Sequence, residues 1–310
     1  MNRRQLDAGG GFTLELFEVV GSRHGPVLGL LAGVHGDEPE GVLAIRMLLA
    51  TLDESALAGT VNAVPIASPA AFGADTRLSP DDGKNLARVF PGSPGGSSSE
   101  RIARLLTDEV IAKADLLIDL HSAGRDYEMP FFVGFSSTPS GLRERAARAA
   151  WAMGAPRTWE HSSVGPGRSI SAAADLGVPS IYVEVTGGGT IRGRELQAVV
   201  TGIRRVMGTL GMLPSPSDLF EPPRDVFVGD DGDTDDSLCA SAAGSCVRFV
   251  EVGQSVVRGQ LLAQIVADDG SLVEQIVSPQ DGVVMMLRRR PTVEKGTSIA
   301  MLGPRADASN

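Results

Sequence analysis

His35 and Glu38 stand three residues apart in Gly33-Val34-His35-Gly36-Asp37-Glu38-Pro39-Glu40-Gly41, the stretch of this sequence best equipped for chemistry. An imidazole and a carboxylate presented together are two of the three protein ligands of a catalytic zinc site of the His, Glu, His kind. The chain has only four histidines. A second one, His121, closes the run Asp115-Leu116-Leu117-Ile118-Asp119-Leu120-His121, with Asp119 two residues earlier on the same strand face. A metal-bound imidazole usually donates its other N–H to an oriented oxygen, and Asp119 is the candidate for that role. Glu184 sits inside Ser180-Ile181-Tyr182-Val183-Glu184-Val185, just ahead of Gly187-Gly188-Gly189. A carboxylate in so apolar a run is expensive to bury without a partner. Together His35, Glu38 and His121 would hold zinc with a position left open for water, whose pKa such sites lower to about 7. Glu184 would then take and relay the proton. Each piece also has a plainer reading: a polar turn, a satisfied strand-end histidine, a buried ion pair.

The elements around these residues are those of an alternating α/β chain. Leu14 to Val20 and Val27 to Ala32 read as strands. Pro39 suits the first helical position, which puts Glu38 at the N-cap of a helix through Val42 to Leu49. Thr60 to Ile66 is a further strand, followed by a long loop, Ala67 to Ser99, that contains Arg77 and Lys84-Asn85-Leu86-Ala87-Arg88-Val89-Phe90-Pro91-Gly92. Loops of that length are usually functional or disordered. Helices are expected over Ser99 to Ala112, Gly141 to Met153, Ser169 to Leu176 and Arg194 to Leu210. His35, His121 and Glu184 thus fall at three strand ends, the edge where open α/β sheets place ligands. His24 has no comparable setting, and His161 reads as part of a polar, glycine-rich loop with Arg168.

At 310 residues the chain has room for one large domain and a smaller one. Pro214, Pro216, Pro222 and Pro223 mark a linker over 214–223, between a catalytic α/β domain (1–213) and a β-rich domain (224–310). The latter carries short strands and Gly-centred turns at even spacing, as in a small barrel or sandwich. Its glycines look like those of the biotinyl/lipoyl-like barrel-sandwich hybrid. The turn Asp268-Asp269-Gly270 offers no lysine for a carried group, so the module reads as structural. The acidic run Asp230 to Asp236 lacks the ligand order of a calcium loop and reads as a solvated linker or turn. A net charge of −10 argues against nucleic acid as a partner. No apolar run is long enough to span a bilayer, and Met1 to Asp7 lacks a signal-peptide core, so the expected compartment is the cytoplasm. Cys239 and Cys246 lack metal or redox spacing and read as buried free thiols.

Taken in order, Gly33-Val34-His35-Gly36-Asp37-Glu38, Asn85-Leu86-Ala87-Arg88-Val89-Phe90-Pro91-Gly92, Asp119-Leu120-His121-Ser122 and Glu184 with its glycine tail resemble the succinylglutamate desuccinylase/aspartoacylase family. That family is related to zinc carboxypeptidases, and the likeness is greatest to its N-acetyl-diaminobutyrate deacetylase branch. The resemblance covers roughly residues 10 to 305. It implies hydrolysis of the amide of an N-acyl amino acid, with His35, Glu38 and His121 on zinc and Glu184 as general base and acid. It implies that Arg88 holds a substrate carboxylate or polarises the scissile carbonyl. The family motif usually has an asparagine where this chain has Ala87, leaving Asn85 and Arg77 as the residues to compensate.

The expected fold is α/β, a mixed and largely parallel sheet flanked by helices, zinc carboxypeptidase-like, with a small all-β C-terminal barrel-sandwich domain. The expected function is that of a zinc-dependent N-acyl amino acid amidohydrolase with a small-molecule substrate, no nucleic acid and no membrane, homo-oligomerisation being left open. Two alternatives stand beside it: a metallocarboxypeptidase cutting a peptide bond, and a non-catalytic binding or carrier protein.

Overall fold

The structure, a computed structural model describing residues 1–214, 223 and 225–307, alternates strands and helices as far as residue 210 and then runs almost wholly in strands. In chain order the first part carries β1 (Asn2–Asp7), β2 (Thr13–Val20), β3 (Arg23–Ala32), β4 (Ala58–Val64), β5 (Leu116–Ser122), β6 (Tyr127–Glu128), β7 (Phe132–Ser136), β8 (Arg157–His161) and β9 (Ser180–Val185). Between them lie α1 (Pro39–Ala50), α2 (Pro69–Ala74), α3 (Ser98–Leu106), α4 (Ser140–Met153) and α5 (Ser169–Asp175), with α6 (Gly193–Thr209) after β9. The second part supplies β10 (Asp225–Val228), β11 (Leu238–Cys239), β12 (Gly244–Arg248), β13 (Ser255–Val256), β14 (Leu261–Val266), β15 (Leu272–Val277), β16 (Gly282–Arg288), β17 (Thr292–Val293), β18 (Ser298–Gly303) and β19 (Ala306–Asp307).

One mixed sheet runs β1-β2-β4-β3-β5-β9-β7-β8-β10-β19, with parallel pairing across β4-β3-β5-β9 at its centre. Period-two alternation sorts its faces. Leu28 and Leu30 of β3, Ile118 and Leu120 of β5, and Ile181 and Val183 of β9 share one core with Ile45, Leu48, Ile203 and Val206 of the covering helices. Each such side chain contributes roughly 1.5–3 kcal/mol by leaving water. On the opposite face Leu31 and Leu117 pack with Ile102, Leu106 and Ala172. Further along that face the apolar pattern gives way to Asp119 and His121 on β5, and to Tyr182 and Glu184 on β9. His121 and Glu184 are register partners. The chain leaves β3 for β4 on one side and later returns to lay β5 on the other. A crevice therefore opens at this crossover, beyond the carboxyl ends of the strands.

The second part forms two small antiparallel sheets, β11-β18-β16-β13 and β15-β14-β12-β17. It also lends β10 and β19 to the large sheet and receives β6, which pairs with β16. Of the proline-marked linker 214–223, residues 215–222 lie outside the described residues. Among the described residues no helix is long and apolar enough to cross a membrane.

Several expectations are corrected. The segment Ala67 to Ser99 is not one open loop, because it contains α2 and a single turn at Leu86–Arg88 capped by Asn85. β7 was not foreseen: Gly134 interrupts its apolar pattern, since a Cβ there would lie 2.0 Å from the Tyr182 ring. His161 ends a strand rather than sitting in a loop. Cys246 is buried as expected, but Cys239 is exposed.

Candidate active site

Glu38 is the hub of the site. It is the residue before α1, with Pro39 at the first helical position, and its side chain turns inward. Two glycines make that turn feasible. Gly33 takes a φ of 58°, and a Cβ on Gly36 would lie 2.0 Å from the Ala71 backbone. Glu38 Oε1 lies 2.7 Å from His35 Nδ1, and Oε2 lies 2.9 Å from His121 Nδ1. The ligand atoms of these three residues all fall within 4.8 Å of one another. His35 and Glu38 are 3% and 1% exposed.

The outer nitrogens of both rings are already engaged. Asn85 Oδ1 lies 3.0 Å from His35 Nε2, and Asp119 Oδ2 lies 3.2 Å from His121 Nε2. Ser169 in turn donates to Asp119 Oδ2. With a proton on each Nε2, both Nδ1 atoms can turn a lone pair toward a cation shared with the Glu38 carboxylate. Without such a cation, a proton on His121 Nδ1 fills that place and bonds Glu38. The Arg77 guanidinium shows the field at work, with Nη1 3.3 Å from both His35 Nδ1 and Glu38 Oε1. Two imidazoles, one carboxylate and ordered outer partners are a donor set that suits zinc.

Electrostatics follow from this packing. Burial, reinforced by Arg77, lowers the His35 pKa. Burial would lower that of His121 too, but Asp119 and Glu38 outweigh it and raise it well above the usual value. For Glu38 burial opposes ionisation, and the two imidazoles overcome it and hold the carboxyl well below the carboxylate range. Glu184 lines the same cavity, and its Oε2 has no hydrogen-bond partner among the described residues. Burial pushes its pKa up to about 8, with His121 pulling the other way. Beside a bound dication such a carboxylate would be ionised. In the protein without one, desolvation is the larger influence.

The remaining expected residues are distributed as follows. Asn85 faces His35 and also accepts from the Ala87 N–H at 2.9 Å, so its amide oxygen acts through the imidazole. Arg77 stands at the cluster with its side chain 41% exposed. Arg88 lines the cavity but is held by Asp233 at 3.0 Å and Asp235 at 2.9 Å. Asp233 also pairs with Arg168 at 2.8 Å. The acidic run 230–236 does contain a turn, at Thr234–Asp236, but it is no solvated linker: it straps across the cavity, held by two arginines distant in sequence.

Three wall residues escaped the sequence reading as site residues. His161 is buried, with Nε2 2.6 Å from Tyr182 Oη, and its ring lies 4.7 Å from that of Trp159. Burial lowers its pKa to about 4, so it is neutral. Tyr182 could have been found, since it lies two residues before Glu184 on the same strand face. His161 and Asp231 carried no local signal, because only the long-range fold brings them to the cavity.

Residues 24–210 match the model of the succinylglutamate desuccinylase/aspartoacylase catalytic domain. Over 291 residues the chain is 30% identical to the N-alpha-acetyl-L-2,4-diaminobutyric acid deacetylase of Halomonas elongata, covering 92% of this chain and 84% of that one. The product-bound ectoine utilization protein EutE (DoeB) of Ruegeria pomeroyi has a similar structure, with a TM-score of 0.85 and 27% identity, over 94% of this chain and 89% of that one. A succinylglutamate desuccinylase of Silicibacter sp. TM1040 is similar to the same degree, with a TM-score of 0.85 and 25% identity, over 96% and 89% of the two chains. Fold, motif order and relatives agree, and the chain belongs to the succinylglutamate desuccinylase/aspartoacylase family.

Proposed function

We propose that this protein is a zinc-dependent amidohydrolase that removes the acyl group from an N-acyl amino acid, working in the cytoplasm. The observation that carries the reading is the meeting of His35 Nδ1, His121 Nδ1 and the buried Glu38 carboxylate, with Glu184 beside them and its Oε2 without a hydrogen-bond partner among the described residues. His35, Glu38 and His121 would hold the ion, with Asn85 and Asp119 fixing the two rings. When bound, zinc would polarise the amide carbonyl and acidify water in the site.

Glu184 is the proton carrier. A nearby dication favours its ionised form, so the carboxylate takes a proton from the attacking water and returns it to the departing amine. Arg77 stands beside the cluster to orient the carbonyl or the carboxylate of the substrate. Arg88 gives the cavity wall its positive charge, tempered by Asp233 and Asp235. We take residues 1–213 as the catalytic unit and 224–310 as a barrel-sandwich-like unit that walls the site.

Thr234, Met286 and Ser298 from the second unit line the approach to Glu38 and Glu184. A walled approach favours a free acylated amino acid over a polypeptide, which speaks for the deacylase against the carboxypeptidase. The named deacetylase relative makes an Nα-acetylated diamino acid the first substrate to try. Metal analysis of the purified protein and a panel of N-acetyl and N-succinyl amino acids test the proposal together. About one zinc per chain and release of free amino acid from one panel member are expected. Full zinc with no amide cleaved anywhere in the panel would sink it.

A further inference from the structure

The acidic strap brings three carboxylates to the cavity or its rim, and two of them are already matched. Asp233 bridges Arg88 and Arg168, and Asp235 takes the other edge of Arg88. Asp231 is different. It lines the cavity, and its one side-chain partner among the described residues is the Asp233 N–H, at 3.0 Å. Beside it His161 is 1% exposed, and its Nδ1 has no hydrogen-bond partner among the described residues. A buried polar nitrogen left so is costly unless a ligand completes it. The strap backbone packs directly on the imidazole, since a Cβ on Gly232 would lie 2.5 Å from His161 Cε1. Trp159 and Tyr182 flank the ring at 4.7 and 5.7 Å between centroids.

An unmatched carboxylate, a neutral imidazole and aromatic walls suit a cation far better than an anion. The position is also informative. Tyr182, which bonds His161, is two residues from Glu184 along β9, or about 7 Å. That separation is close to the reach of an extended amino-acid side chain.

We infer that Asp231 and His161 form the subsite that receives an ammonium group on the substrate's side chain, away from the amide being cut. The inference rests on the amidohydrolase reading and adds the residues that set its specificity. Asp231 supplies the charge. His161, held by Nε2 at 2.6 Å from Tyr182 Oη, walls that charge with its neutral ring.

The test compares the zinc-loaded wild type with Asp231→Asn and His161→Phe. The substrates are Nα-acetyl-L-2,4-diaminobutyrate and Nα-acetyl-L-norvaline, which has a methyl group where the first has its ammonium. Wild type is expected to prefer the cationic substrate. Each substitution should erode that preference on the order of tenfold to a hundredfold, through KM. An unchanged preference, whether both activities fall together or neither falls, would overturn the subsite. Calorimetric binding of free L-2,4-diaminobutyrate and L-norvaline to the same proteins separates the two ideas. Cation-selective binding that Asp231→Asn abolishes, with no hydrolysis of either substrate, would keep the subsite and sink the hydrolase. Hydrolysis with no selectivity in rate or binding would do the reverse, and failure of both would sink both.

Discussion

His121 and His161 each end a strand of the same sheet, each faces the same cavity, and their surroundings drive them in opposite directions. His121 has Asp119 on one nitrogen and Glu38 on the other, so its cationic form is favoured despite burial. His161 has a tyrosine hydroxyl on one nitrogen, no hydrogen-bond partner on the other among the described residues and Trp159 against its ring, so burial outweighs the nearby Asp231 and keeps it neutral. Neither the residue type nor its place at a strand end decides the role. The carboxylates around the ring decide it, and these come from distant parts of the chain. The first cluster has the donor set of a cation site at its nitrogens, and the second sets a neutral ring beside the Asp231 carboxylate.

The contrast breaks most visibly at the metal. His121→Ala should take zinc from about one per chain to near none, with turnover at background. His161→Ala should leave zinc content close to that of the wild type. Equal zinc retention in both variants would remove His121 from the donor set.

Next in size is Glu184→Gln, which keeps shape and hydrogen bonding but cannot carry the proton. Turnover should fall by about a hundredfold to ten-thousandfold while zinc stays bound. A folded, zinc-loaded variant of near-normal turnover would leave the proton carrier unassigned and make Glu184 a structural residue.

The smallest effect separates the two histidines by the sign of their titration. With a folded pKa of about 4 against 6.5 for the free side chain, His161 binds its proton first in the unfolded chain. Its share of stability is therefore full above pH 6.5 and is lost as pH falls toward 4, by about 3 kcal/mol. In protein stripped of metal, His121 does the reverse: its raised pKa adds stability below pH 6.5, which is lost as pH rises through the folded value. Denaturant midpoints measured from pH 4 to 8 on stripped wild type and His161→Phe check the first half. A slope on the acid side that survives the substitution would show that another group carries it.

The sequence made the cation-binding half of this pair legible and the neutral half obscure, for a physical reason. Pro39 fixes the start of α1 and so the place of Glu38, and the apolar runs before His121 and Glu184 announce their strands. Those signals are local. β8 is harder to see, because Arg157 and Glu160 interrupt a strand only five residues long. The strap is harder still. Asp233 and Asp235 look like solvent-facing charges until Arg88 and Arg168 are brought to them, which no nearby spacing foretells. Ala87, where the family motif usually has an asparagine, is buried beside the His35 partner Asn85, and the strap occupies the arginine next to it.

The wall lent by the second part of the chain has a consequence for how the enzyme comes into being. His35, Glu38, His121 and Glu184 have all been translated by residue 184, but Met286, Ser298 and Met301, which line the site, come more than a hundred residues later. At ribosomal speeds that interval is on the order of ten seconds. During it a nascent chain holds every residue of the proposed donor set without the wall that later covers them, so a metal bound by these residues would have access before the chamber closes.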